Sequence, residues 1–107
     1  MGYCVVFVTV PKIAEARRIA KILLRAKLCA CANIIKSVDS LFWWKSKIDR
    51  ATEALMVIKT KRSLMNGLIK AVKANHSYEV PEIICLPIVC GNKDYLEWLE
   101  SSCKKKG

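Results

Sequence analysis

Two periods of apolar and polar residues alternate along this chain, and each change of period marks a new element. Tyr3-Cys4-Val5-Val6-Phe7-Val8-Thr9-Val10 is almost unbrokenly apolar, which predicts a strand at the centre of a sheet or buried on both faces. Pro11 then opens a helix, since a proline's missing N–H costs nothing in a first turn. Ile13, Ala16, Ala20 and Leu23 form the helix's apolar stripe, widened by Ile19, Leu24 and Leu28. Arg17, Arg18, Lys21 and Arg25 line its wet side. A long strand follows from Leu28 to Trp44, with a bulge near Lys36–Ser37. Lys45-Ser46-Lys47 makes the hairpin turn, and the return strand runs from Ile48 to Thr60. Thr60 or Ser63 caps a second helix. Its stripe is Leu64, Leu68, Ala71 and Val72, and Asn75 stops it. The fourth strand spans Ile83–Cys90, and Pro87 places it at an edge or on a bulge. Asn92 caps a last helix with the stripe Tyr95, Trp98, Leu99 and Cys103.

Strand–helix–strand twice, plus a terminal helix, reads as one α/β (α+β) domain over residues 1–107, with 104–107 as a frayed tail. Two such halves joined by a hairpin give the split βαβ, ferredoxin-like arrangement. Right-handed crossovers put both long helices on one face of an antiparallel sheet. The other face is very apolar, and the terminal helix is too short to hide it, so the sequence asks for partner subunits. Phe42, Trp43 and Trp44, beside the hairpin turn, are the expected subunit contacts.

The net charge of +10 favours solubility and attraction to anions. Its placement along the first helix and in the Lys104-Lys105-Lys106 tail reads as solvated surface and not as a nucleic-acid footprint. The strand that would carry stacking aromatics in an RNA recognition motif is wholly aliphatic here, Leu55-Met56-Val57-Ile58. No run of 18 apolar residues spans a membrane. The six cysteines lie largely in aliphatic runs, where a thiol acts as a small core hydrophobe. Free thiols and a cytoplasmic location are the expectation.

Candidate chemistry is sparse. His76 is the only histidine, and with Glu79 nearby it offers an imidazole and a carboxylate to a borderline divalent ion. One histidine does not hold copper or zinc tightly unless other ligands converge. The alternative is a structural histidine bonding across a loop or a subunit boundary. Cys29 and Cys31, two apart, share one side if both lie on a strand, and two thiols there would grip a soft ion. Cys31 also reads as core, and Cys29 as the more reactive thiol. No glycine-flanked serine marks a nucleophile elbow, and no phosphate-cradling glycine loop is present, so no enzyme is expected.

Several segments, in this order and at these separations, carry a resemblance. They are Ala30-Cys31-Ala32-Asn33-Ile34, Ser40-Leu41-Phe42-Trp43-Trp44-Lys45-Ser46-Lys47-Ile48, Ile58-Lys59-Thr60, His76-Ser77-Tyr78-Glu79-Val80-Pro81-Glu82 and Tyr95-Leu96-Glu97-Trp98. The chain resembles the CutA family of divalent-cation tolerance proteins over nearly its whole length. The resemblance implies a ferredoxin-like fold, a homotrimer built by sheet association, and a link to copper or another divalent cation. In animal relatives it also implies a link to acetylcholinesterase maturation. Where some relatives place a copper-binding cysteine and two adjacent histidines, this chain has Val8, Asn75 and His76. The family's usual Pro, Tyr and turn Gly are replaced by Ser77, Phe42 and Ser46. Copper binding is therefore expected to be weak. Two other classes stand beside a metal-associated protein. One is a trimeric sensor of anionic small molecules, like the PII signalling proteins, and the other is a scaffold or chaperone-like partner.

Overall fold

The computed structural model describes residues 2–105. Its elements are β1 (Tyr3–Val10), α1 (Ile13–Arg25), β2 (Cys31–Trp44), β3 (Lys47–Lys61), a turn of 3-10 helix (Arg62–Leu64), α2 (Met65–Asn75), β4 (Ile83–Pro87) and α3 (Lys93–Ser102). The strands form one antiparallel sheet in the order β2-β3-β1-β4. This is the expected ferredoxin-like arrangement, with β1 inside and β4 at an edge.

Pleating sorts the residues of β1 between the two faces. Cys4, Val6, Val8 and Val10 are fully buried, packed with Ala16, Ile19 and Leu23 of α1, Met56 and Ile58 of β3, and Leu68 and Val72 of α2. Tyr3, Val5, Phe7 and Thr9 alternate with them and are only half-buried. The apolar run is therefore buried on one face, and the second face stays open in a single chain, as the pattern required.

The long hairpin follows its sequence closely. Ile35 pairs with Leu55, but the next partners are Val38 and Glu53, so Lys36 and Ser37 form the bulge. The turn is one residue shorter than expected, because Lys47 already pairs with Trp44. Lys45 and Ser46 have φ of 50° and 64°, the pair of left-handed residues that a two-residue type I′ turn needs. A glycine would meet that requirement with less strain than Ser46.

Helix ends depart from expectation. Leu28 to Ala30 precede β2, because α1 stops on a left-handed residue, Lys27 at φ 56°. Leu28 N–H donates to the Leu23 carbonyl and Lys27 N–H to that of Leu24, which satisfies the last turn as a Schellman stop. Thr60 is no cap: it is buried in β3, and its hydroxyl donates to the Leu28 carbonyl at 2.6 Å. Ser63 lies in the 3-10 turn that leads into α2, which has no side-chain cap. Asn75 ends α2 without left-handed geometry, its amide donating back to the Ala71 carbonyl at 2.8 Å. β4 stops at Pro87, although Ile88 still donates its N–H to the Tyr3 carbonyl. Asn92 caps α3 as expected, accepting from Asp94 N–H at 3.1 Å.

α3 covers one end of the sheet. Leu99 and Cys103 bury with Ala30 and Leu64, and Tyr3 packs against them. Glu100 clamps the helix, accepting from Lys61 Nζ at 3.1 Å and from the Tyr3 hydroxyl at 3.0 Å. Its hydrogen bond from Lys61 holds the Glu100 carboxyl below its ordinary range, and the hydrogen bond to Glu100 raises the Tyr3 hydroxyl above its own. The Glu100 contribution is thus present above the ordinary carboxylate pKa and lost as pH falls through the depressed one. That of Tyr3 is present below about 10 and lost as pH rises through the raised one. α3 is expected to loosen at both extremes. The Trp98 indole NMR resonance should shift in both ranges, and Glu100→Gln should abolish the acid step. Of the expected tail, Lys104 is tied by its N–H to the Lys27 carbonyl, and residues 106–107 lie outside the described residues. Among the described residues no helix is long and apolar enough to cross a membrane.

Candidate functional site

His76 leaves α2 in extended conformation, and its side chain is completely buried. Nε2 lies 2.8 Å from the Thr9 carbonyl oxygen. A carbonyl only accepts, so Nε2 carries the proton. Nδ1 is then free to accept, and it takes the Tyr78 N–H at 3.0 Å. Both ring nitrogens are therefore committed to backbone partners, which fixes one tautomer. Around the ring, Glu15 Oε2 accepts from Ser77 N–H at 2.7 Å and stands 3.7 Å from His76 Nδ1. The Tyr78 ring tilts against the imidazole with centroids 5.0 Å apart. Its hydroxyl donates to the buried Glu53 at 2.7 Å. Burial first, and Glu53 second, push that hydroxyl up to about 12. The loop after α2 is thus pinned to β1, α1 and β3 at once. Sequence reasoning named His76 but missed Glu15 and Glu53, which are far away along the chain and carry no local signal.

The remaining metal candidates do not gather around this ring. Glu79 is exposed on the same loop. Cys29 is 1% exposed in the core beneath the helices, and burial pushes its thiol up to about 12. Its burial and disfavoured thiolate run against the expectation that Cys29 is the more reactive thiol. Cys31 begins β2, pairs with Lys59 on the open face and is half-buried. Its sulfur lies 4.0 Å from Lys59 Nζ and 3.8 Å from Asn33 Oδ1, and Asn33 Oδ1 also accepts from Lys59. Strand alternation starts at Cys31, so it never reaches Cys29 and the two thiols do not share a side. Among the described residues no three His, Cys, Asp or Glu side chains converge. The described donors of one chain do not form a cage for a divalent ion.

Phe42, Trp43 and Trp44 stand on the distal half of the β2–β3 hairpin, an arm that reaches past the body. Trp43 is 73% exposed, Trp44 58% and Phe42 39%. Trp43 pairs with Ile48 and Trp44 with Lys47, so Leu41, Trp43 and Ile48 share one face of the ribbon and Phe42 and Trp44 the other. Leu41 and Ile48 are as open as the tryptophans. Neither was singled out from the sequence, although their alternation with Trp43 was readable.

A family profile described as CutA1 divalent ion tolerance protein matches residues 4–102. The chain belongs to the CutA1 family. It is 46% identical over 101 residues to the chloroplastic protein CutA 1 of Oryza sativa, covering 94% of this chain and 57% of that protein. It is 43% identical over 97 residues to the divalent-cation tolerance protein CutA of Archaeoglobus fulgidus, covering 91% and 94%. The chain spans little more than half the length of the plant CutA proteins it matches. Among solved structures, CutA1 from Oryza sativa superposes with a TM-score of 0.95 at 45% identity, covering 98% of this chain and 96% of that one. CutA1 from Thermus thermophilus gives 0.94 at 40%, covering 95% and 99%. Within this CutA1 chain, Val8 is fully buried in the core and has no donor atom. The Asn75 amide is spent on its own helix. Of the three positions where the resemblance implies copper ligands, only His76 bears a suitable nitrogen.

Proposed function

We propose that this CutA1 chain acts as a homotrimeric divalent-cation tolerance protein that binds its ion weakly and catalyses no reaction. The arm carries the reading. It carries large exposed apolar side chains on both faces, which its own chain does not cover, and exposed apolar area of this kind marks an interface. The open sheet face continues the patch: Val5, Phe7 and Val57 are half-buried, and Ile35, Ile84 and Leu86 are exposed. The sheet also ends in two unlike edges, β2 and β4. Head-to-tail contacts between unlike surfaces build closed rings when the rotation permits, and the family resemblance implies three. Light scattering should give three times the chain mass of 12.1 kDa at micromolar concentration. Obligate interfaces often exceed ~2,000 Å², so a monomer mass there would refute the assembly.

The relatives' names tie them to divalent cations, and this chain inherits that task by membership. For copper the residues set a limit. An ion reaching His76 must displace the Thr9 carbonyl or the Tyr78 N–H, each such bond worth about 1 kcal/mol net. Glu79 and the half-buried Cys31 add at most scattered donors. Calorimetry with reduced thiols should therefore give a copper(II) Kd that is micromolar or weaker, about 8 kcal/mol or less, and silent in His76→Ala. Nanomolar affinity surviving that change would transfer the site to Cys31. A cytoplasmic location accords with six cysteines that are all free thiols, although the Archaeoglobus fulgidus structure is named periplasmic and the rice protein chloroplastic.

A further inference from the structure

Charge in this chain is segregated by layer. The helix segments 11–30 and 62–76 carry nine of its nineteen Lys and Arg but only one of its nine acids, Glu15. The remaining ten cations stand against eight acids and nearly balance. All nine helix-layer cations are exposed. Glu15 is turned to the loop, where it accepts from Ser77 N–H. Among the described residues no ion pair involves any of the nine.

A merely solvated helix is usually laced with opposite charges at i,i+4. Here Arg17, Lys21 and Arg25 follow one another at that spacing, and like charges so placed destabilise a helix. Arg18 donates to the Asn75 carbonyl and Gly67 lies against Leu28, so α1 and α2 run antiparallel side by side. Lys70 and Lys73 therefore extend the α1 row into a face two helices wide. α1 alone is about 20 Å long.

We propose that this outer α1–α2 face docks on an anionic lipid bilayer surface. A broad face of Arg and Lys matches a plane of phosphates, whereas a duplex rod would meet one row of it. The segments hold no Phe, Tyr or Trp, and their one imidazole, His76, is buried, so single-stranded bases find no ring to stack on. The apolar stripe of α1 is buried in the core, so the contact is adsorption without insertion, with only Leu24, 40% exposed, projecting among the cations. The face lies opposite the open side of the sheet, so an assembly through that side leaves it outward.

The test is co-sedimentation with vesicles of equal parts phosphatidylcholine and phosphatidylglycerol, against phosphatidylcholine alone. The protein should bind only the anionic vesicles and be released in about 1 M salt, where the screening length is about 3 Å. Arg17→Glu/Lys21→Glu/Lys70→Glu should lower partitioning by about a hundredfold or more, with unchanged circular dichroism and particle mass. Lys93→Glu/Lys104→Glu/Lys105→Glu, the same charge change on exposed sites elsewhere, should keep most of the binding. No binding at low salt, or equal loss in both variants, overturns the proposal. Tighter binding to duplex DNA than to anionic vesicles at the same salt overturns the lipid assignment.

Discussion

Replacing His76 by alanine is expected to lower the unfolding free energy by about 2–4 kcal/mol. The ring is fully enclosed and satisfies two backbone groups, the Thr9 carbonyl and the Tyr78 N–H. Alanine leaves both without a partner in a site that excludes water, and each orphan costs about 1–3 kcal/mol. The empty ring volume adds to that, while relaxation of the loop recovers part. His76→Gln offers a donor and an acceptor on one side chain and should restore more than half of the loss. Tyr78→Phe should cost less than His76→Ala, because it removes one bond, that to Glu53, and keeps the ring. Urea titrations at one fixed protein concentration measure all three, since the proposed assembly couples to unfolding. A change below about 0.5 kcal/mol in His76→Ala, within the range of ordinary surface substitutions, would mean that the ring does not hold the loop.

Trp43→Asp/Trp44→Asp is expected to abolish the proposed trimer, with a particle of single-chain mass at micromolar concentration. The two rings lie on opposite faces of the arm, so the double change spoils both contacts at once. Covering a large apolar side chain contributes about 2–3 kcal/mol, and an aromatic buries more area than most. Burying a carboxylate in its place adds a further penalty. The loss recurs in every chain of the proposed ring. Circular dichroism should retain the sheet and helices of the body, because α1, α2 and the core strands do not rest on the arm. An unchanged trimer mass would place the interface elsewhere.

Much of the fold was legible because its signals are local and repeated. β1, the α1 stripe, the bulge at Lys36–Ser37 and the Asn92 cap each announce themselves within a few residues. Helix ends were less readable. The α1 stop uses a lysine in a conformation that normally favours glycine, and α2 opens through a 3-10 turn without a side-chain cap. The site was harder still. His76 could be singled out as the only imidazole, but its partners are a carbonyl 67 residues away and an N–H two residues on. Backbone groups have no residue code to read. The expectation about Cys29 and Cys31 failed for a related reason, because parity has meaning only where a strand has begun.

The arm also separates two clocks in the life of the chain. Its pairing starts at Trp44 and Lys47 beside a two-residue turn, so it zips from local contacts, a step that takes about 1–10 μs in hairpins. In the proposed assembly its cover comes from other chains, and subunit assembly takes milliseconds to minutes and depends on concentration. Between the two lies an interval in which a finished ribbon displays Leu41, Trp43, Trp44 and Ile48 to water. Misassembly is then a second-order hazard of the newly made chain. Its extent is set by how fast partners arrive and not by how stable the completed particle is.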